Sequence, residues 1–157
     1  MTMATPRPAP AAPALLFDRL ADFYPADRYE QVPLRTLDRD GLRQSVMIEI
    51  DHLLNTRCSF TDAQLRARGR TTLEYGVPAM TPAYPGAAGS RDEVAARMQA
   101  AIAAYEPRLR EPRVTVHPVH GRPLELRAHV HGLLGTETAP VPVHFTIRVG
   151  APGGRAP

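Results

Sequence analysis

Residues 141–149 read Val141-Pro142-Val143-His144-Phe145-Thr146-Ile147-Arg148-Val149, so that Val, Phe and Ile alternate with Pro, His, Thr and Arg. A period of two is the pattern of a strand with one buried face and one wet face. Two upstream stretches share it. Leu124, Leu126, Ala128 and Val130 alternate with Glu125, Arg127, His129 and His131, and Val114 and Val116 flank Thr115 in a shorter piece. Three consecutive half-buried strands joined by short turns predict an antiparallel sheet with one apolar face to cover. Pro142 cannot donate to a strand ladder, which places the last strand at an edge. Such an edge is either shielded by the chain's own tail or open to a strand from a partner, and both readings stand at this point.

The cover for the apolar face lies upstream, where the period lengthens to that of a helix. Between Thr36 and Asn55, Leu42, Val46, Ile50 and Leu53 recur at helical spacing, with Met47 and Leu54 widening the stripe and Asp38 or Asp40 available as the cap. A second helix is expected to start at the capping box Ser90-Arg91-Asp92-Glu93 and to bury Val94, Met98, Ala101, Ile102 and Tyr105, ending at Glu106-Pro107. Thr56 to Gly89 reads as an ordered loop with short pieces of structure, and Ala14 to Leu20 as one or two helical turns stopped by Pro25. The expected fold class is α+β: a small antiparallel sheet of about three strands packed on two main helices, preceded by a disordered leader. Residues 1–14 form that Ala/Pro-rich leader, 15–149 a single domain and 150–157 a flexible tail.

Composition narrows the function classes. With 157 residues the chain can bury one real core, and its 43% hydrophobic content suits a soluble globular domain. The 19 basic residues are all arginine, yet the net charge is only +3 and no basic cluster interleaved with aromatics accompanies it, so nucleic acid is not an expected partner. No run approaches the roughly 18 apolar residues of a spanning helix, and the leader lacks a signal-peptide core, so direct membrane insertion is not expected and a cytoplasmic location is. Cys58 is the single cysteine, which excludes an intramolecular disulfide and a zinc site built on several cysteines.

The residues offer little catalytic chemistry. His129 and His131 share one strand face, with His117, His120 and His144 on neighbouring segments, but strand-spaced histidines without a clear third ligand read as a solvated face, and no metal or cofactor is expected. Glu74 and Glu106 are the carboxylates best placed for a glycosidase pair, since both sit at element boundaries. The absence of tryptophan and the low aromatic content argue against a saccharide cleft. Neither a nucleophile elbow nor a phosphate-binding glycine loop is present.

Glu106-Pro107-Arg108 is the most pointed local feature, an acid and a base on a corner that proline stiffens. It is open to two structural uses, a staple within the fold or a dock for a partner. Extended geometry would put Glu106 and Arg108 on one side, and polyproline geometry would splay them.

Four segments in order carry a resemblance: Leu15-Leu16-Phe17-Asp18-Arg19-Leu20, Leu53-Leu54-Asn55-Thr56-Arg57-Cys58, Tyr75-Gly76-Val77-Pro78, and Tyr105-Glu106-Pro107-Arg108-Leu109 followed by a valine strand. Together they resemble the contractile-tail baseplate wedge family, in its type VI secretion branch, the TssE proteins. The likeness departs at Glu49-Ile50-Asp51-His52 and in the arginine-rich loop from Ser59 to Arg70. It implies a non-enzymatic structural subunit, docked to TssF and TssG, with TssK as a further neighbour, that helps to start the contractile sheath of TssB and TssC. It further implies Glu106, Pro107, Arg108, Asn55 and Arg57 as partner-binding residues, and Val143, Phe145 and Ile147 as a starter edge for the sheath. Two alternatives accompany it: a lysozyme-like hydrolase of peptidoglycan, a label the family has carried, and the equivalent wedge subunit of a phage tail or extracellular injection system.

Overall fold

The computed structural model describes residues 12–16, 36–78, 88–136 and 139–150. Asp38 caps the first helix, α1 (Arg39–Asn55), its carboxylate accepting from the Gly41 amide at 2.8 Å. The expected stripe of Leu42, Val46, Ile50, Leu53 and Leu54 is buried, whereas Met47 is exposed because it sits about 100° round the helix from Val46. Thr36 and Leu37 are not helical. They form β2 (Thr36–Leu37), antiparallel to β1 (Ala12–Pro13), with Ala12 buried. The end of the leader is therefore paired rather than free, because a short edge can satisfy its backbone on a neighbouring strand.

The arginine-rich stretch after α1 holds four short elements: β3 (Arg57–Cys58), α2 (Asp62–Arg68), a 3₁₀ turn (Thr72–Glu74) and β4 (Val77–Pro78). Both helical pieces open with a capping box, Thr61 with Gln64 and Thr71 with Glu74. The Arg97 guanidinium reaches back from α3 (Ala88–Tyr105) to Asp62 at 2.7 Å. α3 starts at Ala88, two residues before Ser90, so Ser90 is not its cap. Val94, Met98, Ala101 and Ile102 are buried as expected. The expected helical turns beyond Leu16, their stop at Pro25, the turn at 82–87 and the tail beyond Gly150 lie outside the described residues.

β5 (Leu109–Val119), β6 (Arg122–Leu134) and β7 (Val141–Val149) form an antiparallel meander in the order β5-β6-β7. α3 packs along β5 and α1 along β7, closing one core on Phe145, Ile147, Val130, Ala128, Val116 and Val114. Each fully buried side chain of this kind contributes roughly 1.5–3 kcal/mol. β5 is longer than its two valines suggested, because the chain enters the strand directly from the Glu106-Pro107-Arg108 corner. Just past that entry the register shifts at Glu111, whose φ is +50°, and Gly132 sits opposite. A Cβ on Gly132 would lie 2.8 Å from the Leu109 side chain and 2.9 Å from the Arg110 carbonyl oxygen, so the close approach requires glycine.

Candidate functional site

The corner is formed by four residues whose hydrogen bonds all turn inward. The Glu106 amide makes the last helical bond to Ile102, and the Leu109 amide donates to the Glu106 carbonyl at 3.1 Å, which closes a tight turn with Pro107 exposed at its tip. That turn brings the two charged side chains to one side. Arg108 grips Glu106 in a bidentate pair, Nε to Oε1 at 2.8 Å and Nη2 to Oε2 at 2.7 Å, and the Arg108 amide adds a third contact at 3.2 Å. Its remaining Nη1 donates to Ser45 Oγ on α1 at 3.0 Å, and its carbonyl accepts from the Gly135 amide at the end of β6. The Glu106 side chain is 4% exposed and that of Arg108 18%. A planar fork held on both oxygens is the strongest form of such a pair. In the isolated chain the corner is a staple joining α3, α1 and the end of β6.

Two of the other segments singled out in the sequence meet at the end of α3, beside this staple. β3 and β4 pair in parallel, Arg57 opposite Val77, and the Val77 amide donates to the Thr56 carbonyl at 2.9 Å. Gly76 permits the approach: its φ is +108°, and a Cβ there would stand 2.5 Å from the Thr56 carbonyl oxygen. Tyr75 and Tyr105 meet edge to face at 5.2 Å, and the Tyr105 hydroxyl donates to the Thr71 carbonyl. Arg70 lies over the Tyr105 ring and donates to the Gly76 carbonyl. Burial, then the Glu49 and Glu106 charges, push the Tyr75 phenol above its ordinary pKa. Burial likewise raises that of Tyr105, against the pull of Arg70. Ser45, Gly135, Gly132 and Arg70 went unnoticed in the sequence. A glycine within an alternating strand pattern is the signal that could have revealed Gly132, whereas a serine inside a helix carries none.

The remaining predicted residues part company. Asn55 turns its amide inward, to the Asp51 carbonyl and carboxylate and to the Arg148 carbonyl of β7 at 3.0 Å. Arg57 is exposed. Phe145 and Ile147 are buried and Val143 is half-buried, so these side chains belong to the core and are not what the strand offers outside. Because the Arg148 carbonyl faces Asn55 rather than β6, backbone alternation turns the main-chain groups of Pro142, His144 and Thr146 to the same outer side. Among the described residues, the outer edge of β7 is met by Asn55 at Arg148.

The two acids considered for hydrolysis are both engaged locally. Glu106 is held by Arg108, and Glu74 accepts from the amide and hydroxyl of Thr71, which keeps its carboxyl below the ordinary carboxylate value. A glycosidase acid needs the opposite shift. Cys58 is buried. Among the described residues no three His, Cys, Asp or Glu side chains are arranged to hold a metal ion, and no helix is long and apolar enough to cross a membrane.

Residues 40–139 match the family model described as baseplate wedge protein gp25. The chain belongs to that family. The match runs from the first turn of α1 through β6 and takes in the staple and the β3 and β4 segments, while β7 lies beyond it. A solved chain of "The baseplate complex from the type VI secretion system" is similar at 17% identity, covering 70% of this chain and 95% of that one, with a TM-score of 0.49. No curated protein matches.

Proposed function

We propose that this chain is the structural wedge subunit of a type VI secretion baseplate, the role of the TssE proteins, acting in the cytoplasm without catalysis. Family membership over residues 40–139 carries the reading, supported by local pairing of both candidate catalytic acids. In this reading TssF and TssG, with TssK near them, receive the rigid corner, whose exposed tip is Pro107 and whose shape the Glu106 to Arg108 pair maintains. Asn55 acts indirectly, through its hold on β7, and the exposed Arg57 meets a partner. The open middle of β7 accepts a strand from the TssB and TssC sheath, main chain to main chain.

Co-purification of the tagged chain with TssF and TssG tests the assignment. Recovery of both is the expected result. Failure to bind either, with the chain folded, would refute it, and recovery of phage-tail or extracellular injection homologues instead would move the chain to that branch. Clearing of peptidoglycan by the purified protein, abolished by Glu106→Gln, would restore the hydrolase reading.

A further inference from the structure

The wet face of the sheet carries an arrangement that the baseplate reading does not use. Pairing sets its side chains in rows across β5, β6 and β7: His117, Arg127 and Arg148; then Thr115, His129 and Thr146; then Arg113, His131 and His144. His129 is half-buried and the others are exposed. Every member is arginine, histidine or threonine, and none is acidic. The nearest carboxylates on these strands lie at the rim: Glu125, which shares the alternation of Arg127, is buried with its Oε1 on Arg122 at 2.8 Å, and Glu111 sits at the bulge beyond Arg113. None of the ion pairs among the described residues includes Arg113, Arg127 or Arg148.

Two details make this costly for the chain alone. Arg127 and Arg148 are direct partners, and the outward Arg148 carbonyl makes theirs a non-hydrogen-bonded pair, the kind in which side chains stand closest. Like charges so opposed destabilise a sheet. The imidazoles are also in mutual contact. His129 Nδ1 and His144 Nε2 are 3.2 Å apart, the His131 and His144 rings stack at 4.4 Å, and His117 meets His129 edge to face at 5.4 Å. Burial and then the neighbouring His117 and His144 hold His129 below the ordinary histidine pKa.

We propose that this face is a docking surface for a carboxylate-rich patch on a protein partner, and that docking draws protons onto the imidazole cluster. Carboxylates would supply countercharge to Arg127 and Arg148, which join no ion pair among the described residues, and would favour the charged form of His129. Thr115 and Thr146 add hydroxyl donors between the charged rows. A protein carboxylate fits better than duplex nucleic acid: the face has no Phe, Tyr or Trp, and its three arginines fall short of the roughly 6–10 phosphate contacts of a duplex binder. The inference is independent of the baseplate assignment and survives its failure.

Fluorescence anisotropy of a labelled oligoglutamate peptide with the full chain tests it, with oligolysine and duplex DNA as comparison probes. Oligoglutamate should bind more tightly at about pH 6 than at about pH 8, across the range where histidine titrates. The Arg127→Gln/Arg148→Gln double variant should bind it about tenfold more weakly or worse. That variant should melt no earlier than the wild type, which separates lost docking from lost folding. His129→Gln/His144→Gln should flatten the pH dependence. Equal binding by the arginine double variant, affinity that does not change with pH, or stronger binding of the DNA probe through the same arginines would each overturn the proposal.

Discussion

The corner and the β7 edge both read as partner sites in the sequence, and the fold treats them in opposite ways. At the corner, all three guanidinium nitrogens and both carboxylate oxygens find partners within the chain. Along β7 Phe145 and Ile147 are buried and Val143 is half-buried, and backbone groups between them face away from β6. Charge is saturated internally, whereas a main chain left unpaired by the described residues is, in the proposed reading, what a partner meets. A polar feature that is conspicuous in sequence can therefore serve to hold a shape, and an inconspicuous stretch of backbone can be the part that is free to bind.

Breaking the closed region should cost most. Glu106→Ala leaves the Arg108 guanidinium without its partner beneath Ser45, and should destabilise the isolated protein by about 3–5 kcal/mol in chemical denaturation. A loss below about 1 kcal/mol, the range of an exposed pair, would show that the corner is no staple. Gly76→Ala comes next, at about 2–3 kcal/mol, since it combines a left-handed φ with a clash against the Thr56 carbonyl. Its thermal midpoint should fall accordingly, and an unchanged midpoint would mean that the β3 and β4 bridge does not support the corner.

Asn55→Ala probes the boundary between the two regions. Losing the cap on the Arg148 carbonyl should cost about 1 kcal/mol and speed hydrogen exchange at the end of β7. If exchange there is unaffected, Asn55 does not hold the edge. The histidine face should respond more weakly, to pH. His129 has a depressed pKa in the folded state, so the unfolded chain binds the proton more readily, and stability should fall as pH drops below about 6.5. Thermal melts across this range should show a decline that His129→Gln reduces, and an identical decline in that variant would exclude His129 as its source.

Much of the fold was legible, because burial periodicity is a property of neighbouring residues. The stripes on α1 and α3 and the alternation of β6 and β7 follow directly from Leu42, Val46, Ile50, Met98, Ile102, Val130 and Phe145. Boundaries were less so: Thr36 and Leu37 pair with a distant strand, and α3 begins before its apparent capping box at Ser90, outcomes set by tertiary partners. At the corner, sequence located Glu106 and Arg108 but could not choose between staple and dock. That choice depends on Ser45, 63 residues away, and on Gly135. At the edge, Pro142 announced the strand's position, while alternation also drew attention to Val143, Phe145 and Ile147, the side chains that the core consumes.

Thr146→Pro is the substitution that tests the open edge with least disturbance. Its amide faces away from β6, so proline there removes an outward donor and leaves the existing ladder intact, whereas Phe145→Pro would break the sheet itself. The purified variant should keep its stability to within about 0.5 kcal/mol and still co-purify with TssF and TssG, yet baseplates carrying it should fail to start a TssB and TssC sheath. Sheath of normal length and number on those baseplates would contradict the account.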